Sequence, residues 1–123
     1  MKRIKLSKLP IEQLVQLFAD LSVQQDMALI SMLQSEVNRL YWKIEAVENE
    51  LKSRSGDQRF ALLPLFDHKN RQVRLKAAHA TLAIAPQAAR AQLKAIKESG
   101  WQPQALDAGM ALWNLDRGVY KPT

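Results

Sequence analysis

The sequence predicts an all-α protein: an N-terminal helical hairpin followed by about two further helical hairpins, forming a short right-handed α-α superhelix. Three observations carry this. Apolar residues recur at steps of three and four along almost the whole chain, and no segment alternates convincingly at period two. Proline, glycine, asparagine and aspartate fall where helices should start and stop. The C-terminal half also superposes on itself when slid by thirty residues.

The first helix opens at Pro10, whose missing N–H costs nothing in a first turn. Ile11, Leu14, Phe18 and Leu21 then mark one apolar face. A second stripe, Ile30, Leu33, Val37, Leu40, Ile44, Val47 and Leu51, is out of phase with the first, so a break is expected near residues 31–34, with Ser22 to Asp26 as the alternative. Ser31-Met32-Leu33-Gln34 has the form of a capping box. Two such helices would bury their stripes together, residues 10–55 making the hairpin; a long coiled coil is the rival reading.

Residues 53–57 interrupt the pattern. Gly56 suits a left-handed helix end and Asp57 a new start. A short apolar third helix follows, with Phe60, Leu62, Leu63, Leu65 and Phe66, bent at Pro64. Asn70 caps a fourth helix that reaches about Ala85. Pro86 starts a fifth, with Ala89, Leu93 and Ile96 as its buried face, and Gly100 stops it. The sixth carries Leu106, Met110, Leu112, Trp113 and Leu115 and ends at Gly118, with Trp113 expected in core or junction packing and residues 118–123 as a tail. The whole is read as a single domain, 1–123, with residues 1–9 as a basic arm.

The thirty-residue offset places Leu63 on Leu93, Phe66 on Ile96, Ala78 on Ala108 and Leu82 on Leu112. Within residues 57–117, Pro64, Asp67, Val73, Arg74, Ala77 and Ala78 appear in the order of a HEAT repeat, which this segment resembles. The resemblance implies an armadillo-like scaffold in which Asp67 and Arg74 serve structure, tying repeats together. The second unit departs from it, with Lys97 in place of the aspartate and Pro103-Gln104 in place of Val-Arg. The whole chain is similar to a small bacterial family catalogued as a domain of unknown function with HEAT-like folding. Asn38-Arg39-Leu40-Tyr41, Glu50-Leu51-Lys52, Gly56-Asp57-Gln58-Arg59, Val73-Arg74-Leu75-Lys76-Ala77-Ala78 and Asp107-Ala108-Gly109-Met110-Ala111-Leu112-Trp113-Asn114-Leu115-Asp116 carry that likeness. It implies a fold and brings no activity.

Chemistry is sparse. With no cysteine there is no disulfide, thiolate nucleophile or thiolate ligand, which suits a cytoplasmic setting. No apolar run reads as a signal or a membrane span. His68 and His79 lack a second histidine or a carboxylate at ligand spacing. Glu45 and Glu48 share a helix face without a Glu-x-x-His partner. The four glycines lie apart, which excludes a phosphate loop, and no serine sits in a nucleophile elbow. The expectation is a protein with no catalytic site, no metal and no cofactor.

Surfaces offer more. The net charge of +6 is uneven: residues 1–9 and 57–99 are basic and residues 10–56 acidic. Arg90, Lys94 and Lys97 fall at i, i+4 and i+7, and Arg71 lies on the preceding helix. Trp42 is off the stripe of its helix, and Trp101 sits in a turn. Trp42, Arg71, Arg90, Lys94 and Lys97 are therefore the candidate contacts for a noncatalytic protein-binding or self-associating scaffold. The alternative is nucleic-acid binding through the basic half.

Overall fold

The computed structural model describes residues 5–123. Lys2 and Arg3 of the expected basic arm lie outside them. The described residues are all-α: five α-helices and two 3₁₀ segments, with no strand. The chain forms two compact units, one ending at Ala61 and the other comprising Leu62–Thr123.

In the first unit, helices α1 (Ile11–Ile30) and α2 (Gln34–Ser53) pack against each other as the hairpin. Leu14, Phe18 and Leu21 of α1 and Leu40, Ile44, Val47 and Leu51 of α2 are buried, as the stripes predict. The other stripe members are not: Ile11 and Val37 are half-buried, and Ile30 and Leu33 are exposed at the turn. Gln25 is buried and its amide donates to the Val37 carbonyl, fixing the two helices in register.

The break falls where the phase change puts it, but it is not a capping box. Ser31 is the C-cap of α1, and the N-cap position of α2 is Leu33, with no side-chain hydrogen bond. Met32 adopts a left-handed backbone at φ 57°. The Leu33 N–H bonds to the Ala28 carbonyl and the Met32 N–H to the Leu29 carbonyl. This backbone closure ends α1.

Two arginines brace the hairpin. The Arg54 guanidinium donates to the Leu6 and Leu9 carbonyls and to Glu50, holding a 3₁₀ turn (Leu6–Lys8) to the end of α2. Arg59 is almost wholly buried and forms a two-pronged pair with Asp57, at 2.9 and 2.7 Å, with Glu48 at 3.8 Å. Those hydrogen bonds hold the Asp57 carboxyl below the usual range, against a smaller opposing effect of burial, and the Arg59 and Lys52 charges add to the lowering. Gly56 (φ 80°) and Asp57 (φ 53°) form the left-handed turn that makes the pairing possible.

The predicted third helix is a ten-residue 3₁₀ helix, Gln58–Asp67, rather than a bent α-helix. Pro64 has no N–H for an α-type bond to residue 60, so the tighter winding loses nothing there.

In the second unit, α3 (Arg71–Thr81) packs on α4 (Pro86–Ser99), and α4 packs on α5 (Gln104–Asp116). Asn70 caps α3 as expected, accepting from the Gln72 and Val73 N–H groups. Helix α3 stops at Thr81, short of the predicted Ala85. Proline at 86 disfavours helical geometry at Ala85, which leaves it at φ −141° and ψ 63°, and the Thr81 hydroxyl bonds back to the Ala77 carbonyl. The core consists of Leu75, Leu82, Leu93 and Ile96 interleaved with Ala78, Ala89, Ala108 and Ala111. The buried face of α4 is Ala89, Leu93 and Ile96, as predicted. Alanines at the crossings let these short helices approach closely, which rows of larger side chains would prevent. Gln72 and Gln104 are both buried and their side-chain amides bond at 3.0 Å.

Candidate functional site

Helix α5 buries its small residues, packs Leu112 and Leu115 partly against the core, and exposes its other large ones. Gln104, Ala105, Ala108 and Ala111 face inward. Leu106, Met110 and Trp113 are 61, 53 and 62 % exposed. At steps of four and three they make a continuous outward stripe. This overturns the expectation of core or junction packing for Trp113. The alanine face fits the close contact with α4, so these three large residues turn to solvent.

The start of α5 is built by Gly100, which closes α4 in a left-handed conformation at φ 69°. The next residue, Trp101, is 55 % exposed, and the Arg71 guanidinium lies 3.5 Å from its ring centre. A cis peptide joins Gln102 to Pro103. The Gln102 side-chain oxygen accepts from the Leu106 N–H. At the other end, the Arg117 guanidinium lies 4.8 Å from the Trp113 ring centre. Each end of the stripe thus carries an arginine stacked on a tryptophan, a pairing that keeps the cation's charge while covering the ring.

The flanks are tied to neighbouring helices. His79 of α3 bonds to Asp107 of α5 at 2.9 Å. Burial pushes the Asp107 carboxyl up, but the His79 hydrogen bond and the charges of His79 and Lys76 outweigh it, so the group titrates below its ordinary range. On the α4 side, Arg90 pairs with Asp116 at 2.8 Å. The methylenes of Lys97 lie against Gly109, where an added Cβ would sit 3.6 Å from them. Arg90, Lys94 and Lys97 meet at an open groove of about 380 Å³ with Ala91, Glu98, Leu112 and Asp116.

The predicted contacts therefore separate. Arg90, Lys94 and Lys97 share the α4–α5 groove, and Arg71 supports Trp101 within the same unit. Trp42 belongs to the first unit, exposed on α2 and edge-on to Tyr41 with ring centres 5.2 Å apart. Of the repeat-motif residues, Val73, Ala77 and Ala78 are buried, Pro64 lies in the 3₁₀ helix, and Asp67 is exposed at its end. Arg74 donates to the His68 carbonyl, bracing the turn before α3.

Sequence reasoning missed the stripe and the His79–Asp107 tie. The tie joins residues 28 apart, invisible to a search at helical spacing. The stripe had a signal: α5 is apolar on both faces, too wide an arc for one buried side. Among the described residues, no group of three or more histidine and carboxylate side chains is placed to hold a metal ion. No helix there is long and apolar enough to cross a membrane. The surface is equipped to bury apolar area and to pair with anions.

An all-helical domain that carries, on its last helix, an apolar surface with a cationic border is the class these observations define. The chain belongs to the family described as "Domain of unknown function (DUF2019)", which matches residues 12–116. Among solved structures it is similar to the protein RPA1889 from Rhodopseudomonas palustris CGA009, at 50% sequence identity and a TM-score of 0.94, covering 98% of this chain and 100% of that one. No curated protein matches.

Proposed function

We propose that the protein is a noncatalytic, HEAT-like helical scaffold that recognises another protein through the outward stripe of α5. The observation that carries this reading is the exposure of Leu106, Met110 and Trp113 in line on one helix. A contiguous apolar surface of this kind marks an interaction site on a soluble domain. Tryptophan and arginine, both present here, dominate binding energetics at such sites. The Arg90–Asp116 ion pair and the His79–Asp107 hydrogen bond tie α5 to its neighbours, so the surface is formed before a partner arrives.

A photo-crosslinking residue at Met110, with a control at exposed Gln13 on α1, tests the reading in cells. A discrete protein adduct from position 110 and none from position 13 is expected. No adduct at 110 would sink it.

The α4–α5 groove supports a second reading, nucleic-acid binding through Arg90, Lys94 and Lys97. Such binding would fall steeply with salt. Duplex DNA affinity abolished by Arg90→Glu with Lys94→Glu, in a protein giving no adduct at 110, would favour it.

A further inference from the structure

The border of the α5 stripe is electrically one-sided. The unit from Leu62 to Thr123 contains nine lysines and arginines against four carboxylates. The two carboxylates of α5 are already engaged, Asp107 by His79 and Asp116 by Arg90. The cations at the edge keep their charge. Arg71 and Arg117 lie over tryptophan rings at the two ends, and Lys97 lies along Gly109 on the α4 side. A guanidinium stacked by its face retains N–H groups at its edge, where a carboxylate can take two of them at once.

We propose that this surface takes an acidic amphipathic helix of a partner protein, with an apolar stripe at helical spacing and glutamates or aspartates beside it. The proposal rests on the protein-recognition reading above and narrows it to one partner chemistry. Leu106, Met110 and Trp113 form an i, i+4, i+7 ridge about 10 Å long, the length one helix offers to another in ridge-into-groove packing. Carboxylates flanking the partner's apolar face would meet Arg71, Arg117 and Lys97, which steers encounter and sets orientation. A second copy docking through the same face fits less well, because it would bring the same excess of positive charge to it. Phosphates alone would leave the leucine and methionine exposed.

Three synthetic 18-residue peptides test this against the full chain by titration calorimetry and amide chemical-shift mapping. One has a leucine stripe flanked by glutamates, one has lysines in their place, and one scrambles the first. The glutamate helix should bind at least about tenfold more tightly than the other two, and less tightly as salt rises. Its shifts should centre on α5. Met110→Glu should weaken it about tenfold or more, and Arg71→Ala with Arg117→Ala should narrow the gap between glutamate and lysine peptides. Equal binding of all three peptides, no binding of the glutamate peptide, or undiminished binding to Met110→Glu would overturn the proposal. So would a native-mass dimer abolished by Met110→Glu, which would make the occupant a second copy. A protein adduct at position 110 together with failure of the glutamate peptide would discard the acidic helix and leave protein recognition standing.

Discussion

The two units reach stability by opposite choices of side chain. The hairpin before Ala61 packs two twenty-residue helices through large residues, Leu14, Phe18, Leu40, Ile44 and Leu51. The unit after Leu62 packs shorter helices through alanines at 78, 89, 108 and 111 with a few leucines between them. Both units nevertheless leave large apolar residues at the surface: Met27, Ile30, Met32 and Leu33 at the hairpin turn with Tyr41 and Trp42 on α2, and Leu106, Met110 and Trp113 on α5. The difference lies in what faces inward: the buried positions of α5 are alanines and a glutamine, and only Leu112 and Leu115 of its large side chains reach the core, each in part.

The sharpest way to break this comparison is to reverse side-chain size in each unit. Phe18→Ala empties a fully buried site and should cost about 3–5 kcal/mol, read from denaturant unfolding. Ala108→Leu forces bulk into a fully buried site between close helices and should cost about 1–3 kcal/mol. A neutral Ala108→Leu would mean the alanine contacts have slack, and the contrast would fail.

Acid should strip a smaller increment from both units. Asp57 and Asp107 each titrate below their ordinary range when folded. A carboxyl lowered in this way stabilises the fold above its unfolded value and loses that contribution as pH falls through the folded one. Stability should therefore decline as pH drops through about 4 and below. Asp57→Asn and Asp107→Asn should each flatten the denaturant-midpoint profile across that window. Profiles that stay parallel to the parent's would show that neither pair matters to the fold.

The smallest effect should come from the stripe. Single changes of Leu106 or Met110 to Gln should shift stability by no more than about 0.5 kcal/mol, since both side chains face water. A loss of several times that in thermal unfolding would return them to the core and remove the surface.

Much of this architecture was legible in the sequence because its signals are local. Pro86, Gly100 and Asn70 act within a turn of where they stand, and the α4 face Ala89, Leu93, Ile96 follows from period alone. What escaped depended on what comes near in space. The capping box at Ser31 lost to a backbone closure through Met32, a residue that sequence rules rarely place at positive φ. The burial of Arg59 depends on Asp57 and Glu48 converging on it. Hydrophobicity alone sends the tryptophan and methionine of α5 inward, whereas its inward face is set by Ala105, Ala108 and Ala111, which fit between the leucines of the neighbouring helices.

All three tryptophans stand at the surface: Trp42 on α2, Trp101 before α5, and Trp113 upon it. With each ring more than half exposed, their indole emission in the native state should already be close to that of a water-bathed ring. Fluorescence should therefore follow global unfolding poorly, while far-ultraviolet dichroism follows it well. The same optical signal should blue-shift when a ligand covers Trp101 or Trp113, which makes the native chain its own reporter of occupancy.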